Sequence, residues 1–161
     1  MNDEKGQLSG EYMLLVGSLI VVLMISIFMI ANENELNIAM AAAKSGADEG
    51  VASSSSAIYP KETFNEYDDM EGLKHPYSVS IVNVSYNSSG IDENYGKQKI
   101  QFKVYAKASV DYNKKERDSI GDRINYNLRK SVATSFNTAN STNKLYNPVF
   151  SNNYVFTTAN V

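Results

Sequence analysis

Cysteine and tryptophan are absent from this 161-residue chain, histidine occurs once and proline three times. The absence of cysteine excludes disulfides, thiolate zinc sites, iron–sulfur clusters and thiol nucleophiles together. The lone histidine, His75, precedes a proline and has no second histidine to work with, so acid–base chemistry would have to rest on carboxylates alone. A basic excess is also missing. Lys+Arg is 15 against Asp+Glu 18, a net charge of −3, whereas a dedicated nucleic-acid binder carries a basic footprint. No nucleic acid is therefore expected among the partners. The phosphate-cradling patterns G-x-G-x-x-G and G-x-x-x-x-G-K-[ST] do not occur. Asp68, Asp69 and Glu71 cluster, but not at the spacing of a calcium loop, and read as a solvated acidic loop. This inventory predicts a protein that is not an enzyme, with no catalytic residues, no metal and no cofactor.

What the chain does have is one concentrated hydrophobic run. Tyr12 to Ala31 reads YMLLVGSLIVVLMISIFMIA, without a charge. As a helix at about 1.5 Å per residue it covers roughly 30 Å, the hydrocarbon thickness of a bilayer. It is apolar all round, so lipid or other apolar helices must surround it. The apolar stretch of a secretory signal is shorter, about 7–15 residues, and ends at a small-residue cleavage site. Here Asn32, Glu33, Asn34 and Glu35 follow, which predicts a segment that is retained. Lys5 before the run and Glu33 and Glu35 after it place the N-terminus inside and residues 32–161 outside. Glu11 stands directly against the run. A carboxylate carried into such surroundings costs about 3 kcal/mol on insertion scales and calls for a partner.

The residues around Glu11 form a pattern. Gln7, Ser9, Glu11 and Leu15 in KGQLSGEYMLL spell Q-x-S-x-E-x-x-x-L, followed at once by the apolar run. This resembles the class III signal sequence of archaeal type IV-like pilins, the kind found in methanogens, over Lys5 to Ala31. The resemblance implies that a membrane prepilin peptidase cuts between Gly6 and Gln7, on the cytoplasmic side. Residues 1–6 would be the leader, and Gln7 the mature N-terminus. Leaders of this kind are commonly basic; this one sets Lys5 against Asp3 and Glu4. The resemblance further implies that the apolar helix holds the subunit in the membrane until the assembly machinery there draws it into an extracellular filament of like subunits. Glu11 would then pair with the α-amino group of a neighbouring subunit. That group has a pKa around 7.7–8 and is mostly charged at neutral pH, and such a pair acts better as a register device than as a net stabiliser. The implied role is surface adhesion.

The rest of the chain reads as a small α+β head. Leu36, Met40, Ala43, Ala47 and Val51 recur at helical spacing among many small residues, predicting a helix from about Gln7 to about Ile58. Its parts are an apolar segment, 7–31, and an amphipathic continuation, 32–58, with the head at 59–161. Gly46 and Gly50 weaken it by about 1 kcal/mol each. Residues 60–76 look like a loop. Tyr77, Val79 and Ile81 alternate, then Val82, Val84 and Tyr86 alternate on the shifted phase, predicting a strand with a bulge near Val82. Ile100 to Tyr112 alternate without a break, a long strand with one wet face, joined to the first as an antiparallel pair through Gly90 and Gly96. Ile120, Ile124, Leu128, Val132 and Phe136 mark a second helix over about 114–136, with Asn113 and Glu116 as a capping box. Val149-Phe150 and residues 153–158 return to β character. The expected fold is a long N-terminal pilin-like helix packed on a small antiparallel sheet with a second helix.

Two further features bear on function. Lys114, Lys115, Arg117, Arg123, Arg129 and Lys130 make the second helix basic; Glu116, Asp118 and Asp122 offset them, and the group reads as a charged outer face. Asn83, Asn87 and Asn140 head N-x-[ST] sequons. Asn83 is expected within a strand, and Asn87 and Asn140 in turns or tails, where glycosylation is easier. The competing class is an uncleaved single-pass membrane protein whose exposed domain binds a partner.

Overall fold

The computed structural model describes residues 3–52, 78–142, 146 and 148–159. The elements run α1 (Asp3–Ala52), β1 (Val79–Asp92), β2 (Lys97–Ala108), α2 (Lys114–Ser135), a 3-10 turn (Ala139–Ser141), β3 (Val149–Phe150) and β4 (Tyr154–Thr158). The fold is α+β, with a long N-terminal helix, a second helix and a small four-stranded sheet. The chain divides into two units, 1–36 and 37–161; the second is called the head below. The expected helix end at 53–58, the loop 60–76 with its acidic cluster, His75 and Tyr77 lie outside the described residues.

The sheet has the order β1-β2-β4-β3. The β1–β2 pair is antiparallel, with a register shift between Ile81 and Asn83 that leaves Val82 as the bulge. The switch of alternation phase at Val82 had this cause. The hairpin turns through Asp92–Gly96, where the Gly96 N–H donates to the Asp92 carbonyl at 2.8 Å and Gly96 takes the left-handed φ of 63° that glycine adopts without cost.

The sheet is mixed, not purely antiparallel as expected, because β4 runs parallel to β2 over Gln98–Phe102. The chain leaves β2, passes through α2 and returns, and a helical crossover of this kind delivers a parallel neighbour. The long strand is also shorter and only partly backed. Ile100 and Phe102 are buried, whereas Ala106, Ala108 and Val110 are exposed. Pairing with β4 stops at Phe102, so among the described residues the far half of β2 has a neighbour on one side only.

The capping box forms as expected. The Glu116 N–H donates to Asn113 Oδ1 and the Asn113 N–H to Glu116 Oε2, each at 2.9 Å. Such a cap contributes about 1 kcal/mol. At the other end α2 closes on a left-handed Asn137 (φ 53°). The Thr138 N–H donates to Ala133 O at 2.9 Å and the Asn137 N–H to Thr134 O at 3.1 Å, which is a Schellman closure. Asparagine tolerates that φ better than other residues with side chains. The turn sets Phe136 against Phe156, with centroids 5.6 Å apart and planes 16° apart. Phe156 stacks in turn on Phe102 at 5.5 Å. Phe102 and Phe156, with Ile124, Leu128, Val132, Val149 and Val155, form the core of the head, and half-buried Phe136 covers its edge.

Within the head, residues 37–52 of α1 pack on α2 through their smallest side chains. Ala39, Ala43 and Ala47 are fully buried. A Cβ added at Gly46 would stand 2.6 Å from the Asn127 carbonyl oxygen, and one at Gly50 would stand 2.8 Å from Ile124 Cα. Of the expected stripe, Ala43 and Ala47 are buried, while the larger Leu36, Met40 and Val51 are only half-buried. The backbones approach too closely for large residues at the crossing. The two glycines therefore cost helix propensity but create the contact.

α2 is not a uniformly outward basic face. Lys114, Lys115, Arg117 and Lys130 are exposed, but Arg123 is buried and Arg129 half-buried. Arg129 Nη1 donates to Thr158 Oγ1 on β4 at 2.7 Å. Burial lowers the Arg129 pKa, and Asp122 partly restores it. Long arginine stems can line apolar surface while their heads reach polar partners.

Candidate functional site

The apolar segment of α1 is helical throughout, and its large side chains are bare. From Tyr12 to Ile30 every large hydrophobic residue except Val16 is between 52% and 77% exposed. The helix is long and apolar enough to cross a membrane. In water, so many exposed aliphatic groups would be costly, at roughly 25 cal/mol per Å². In lipid, or against copies of itself, the same surface is at rest.

The segment's two serine hydroxyls bond within the helix. Ser18 Oγ donates to the Leu15 carbonyl and Ser26 Oγ to the Val22 carbonyl, each at 2.8 Å. Both hydroxyls are thus satisfied within the helix, which removes the penalty of an unpaired polar group in an apolar medium. Gly10 and Gly17 have nothing within 4 Å of an added Cβ.

The signal-pattern residues fall on this helix. Glu11 and Leu15 are exposed and one turn apart, on one side; Ser9 is exposed and projects elsewhere. Gly6 and Gln7, the expected processing site, lie within the helical stretch, which begins at Asp3; their side chains are outside the described residues.

The sequon asparagines are all exposed. Asn83 lies beside the β1 bulge and Asn87 pairs in register with Gln101. Asn87 is therefore in a strand and not in the expected turn, because β1 runs on as far as Asp92. Both side chains are exposed on β1, whereas Val84 of the same strand is buried, so strand placement alone does not bury them. Asn140 sits in the 3-10 turn.

The head also holds an arrangement that sequence reasoning missed, a cleft of about 340 Å³ beside Lys97. Its walls come from the end of α2, the 3-10 turn and the β3–β4 turn, segments far apart in the chain. The asparagine that follows Phe136 was the one local signal, since Asn after a helix marks a left-handed closure. Among the described residues no group of three or more His, Cys, Asp or Glu is placed to hold a metal. No protein-family model, curated protein or solved structure matches the chain.

Proposed function

We propose that this chain is a structural subunit, major or minor, of an archaeal type IV-like pilus, assembled through α1 and serving surface adhesion. The observation that carries the reading is the bare apolar flank of Tyr12–Ala31 with Glu11 at its head, one turn before Leu15. A prepilin peptidase cuts between Gly6 and Gln7 and leaves the helix on the mature chain. The subunit waits in the membrane with residues 32–161 outside. The membrane-embedded machinery then moves it into the filament, where neighbouring helices replace lipid. The replacement is nearly neutral in hydrophobic terms, because lipid tails are as apolar as leucine; packing and polar contacts decide the register. Glu11 supplies the polar contact, to the α-amino group of the adjacent subunit. Asn83, Asn87 and Asn140 sit in the exposed head, where sugars would not disturb the helix core.

The test is Glu11→Gln in cells that make the filament. The variant is expected to be cleaved and to reside in the membrane as usual, with filament number reduced at least about tenfold, the factor that 1.4 kcal/mol carries. Wild-type filament numbers in the variant would remove the register role.

A further inference from the structure

We propose that the head carries a binding cleft for an acidic sugar, a pyranose bearing a carboxylate of the uronate type. The cleft beside Lys97 measures about 340 Å³ and is lined by Phe136, Phe150, Thr138, Ser141 and Asn152 as well. That volume lies at the lower end of ligand sites, roughly 300–1,000 Å³, and suits one or two sugar rings.

Among the described residues the lining carries one charge, that of Lys97. Lys97 is half-buried, and its Nζ donates to the Ser151 carbonyl at 2.5 Å and lies 5.9 Å from the Phe150 ring centroid. An ammonium has three donors, so the Ser151 bond positions the group and leaves others for a ligand. Among the described residues no carboxylate lines the cleft. Asp92, opposite Lys97 in the hairpin register, accepts from the Asn94 N–H at 3.0 Å and stands 4.0 Å from Lys99. The cleft therefore selects an anion.

The other walls say which kind. Phe136 is braced by stacking on Phe156 at 5.6 Å, and Phe150 by the edge of Tyr95 at 4.8 Å. Two braced aromatic walls are wasted on an inorganic anion. The hydroxyls of Thr138 and Ser141 and the amide of Asn152 make the remainder too polar for a fatty carboxylate, which seeks a dry pocket. A uronate presents an apolar C–H face, a rim of hydroxyls and one carboxylate, and so matches all three parts. The cleft lies wholly within the head and needs no assembly. Failure of sugar binding would leave the filament reading standing, and a chain that binds the sugar but never polymerises would overturn that reading alone.

The experiment is calorimetric titration of the full chain in detergent micelles with sodium glucuronate, glucose and sodium acetate. Glucuronate is expected to bind at least about tenfold more tightly than either of the others. Lys97→Met should bring glucuronate down to the glucose level and leave glucose unchanged. Asn152→Ala, on an exposed turn, should weaken both sugars and keep the preference for the acid. Glucuronate binding no tighter than acetate or glucose, no binding at all, or a preference for glucuronate that survives Lys97→Met in folded protein would each overturn the proposal. Should Lys97→Met fail to fold, Asn152→Ala decides: unchanged glucuronate binding in that variant overturns it as well.

Discussion

Residues 12–31 and 37–52 belong to one helix and present opposite surfaces. The first stretch carries large apolar side chains, all but Val16 more than half exposed, and one glycine, Gly17, beside which an added Cβ would touch nothing. The second carries alanines and glycines, and these are the residues that are buried. Size, not hydrophobicity, decides which surface can close on a neighbouring helix of its own chain. Small residues let the backbones of residues 37–52 and α2 come within contact, as in close-packed helix pairs generally. The bulky first stretch leaves its surface exposed.

This contrast can be broken at its largest effect by removing the first stretch. A chain beginning at Asn37 is expected to be soluble and monomeric by analytical ultracentrifugation without detergent, while the full chain requires it. Polymerisation of the shortened chain would place assembly in the head. A smaller effect separates the two kinds of glycine. Gly46→Leu drives a side chain into the Asn127 backbone and Ser131, at a cost of about 1–3 kcal/mol or more. Gly17→Leu meets nothing and should gain up to about 1 kcal/mol of helix propensity. Thermal melts in detergent, followed by circular dichroism, should show a lower Tm for the first variant only. Equal melting of the two would mean that the 37–52 crossing contributes little to the head.

The smallest effect lies on α2 and concerns pH. The Asp122 carboxyl is held above its ordinary value of 3.8 by loss of hydration, opposed by Arg129 and reinforced by Asp118 one turn away. A raised value in the folded state means that the fold prefers the protonated form. The stabilisation is complete below pH 3.8 and is lost as pH rises through the folded value. At neutral pH the charge therefore works against the fold. Asp122→Asn should raise Tm slightly at about pH 7 and leave it unchanged at about pH 3. A variant that melts lower at neutral pH would show that the pairing with Arg129 outweighs dehydration.

Features set by neighbours in sequence were legible in advance. The apolar run, the Asn113–Glu116 cap and the Val82 bulge each declare themselves within a few residues, through charge, a three-residue spacing and a change of alternation phase. Features set by distant partners were not. The parallel pairing of β4 with β2 depends on where α2 returns the chain. The value of Gly46 and Gly50 depends on what stands opposite them, and alone they read as weak points. The inward turn of Arg123 and Arg129 breaks a charge pattern that suggested a wholly solvated face. Lys97, just before the alternating run that begins at Ile100, gave no signal, because its Ser151 partner and its aromatic neighbour Phe150 arrive from the far end of the chain.

In the proposed filament the apolar half of α1 stays on the mature chain and joins copies of itself. Intact-mass spectrometry of the protein from purified cell-surface filaments tests this most directly. The expected result is filaments whose subunit begins at Gln7 and still contains Tyr12–Ala31. A chain with an uncut N-terminus, found in the membrane fraction and in no filament, would contradict it.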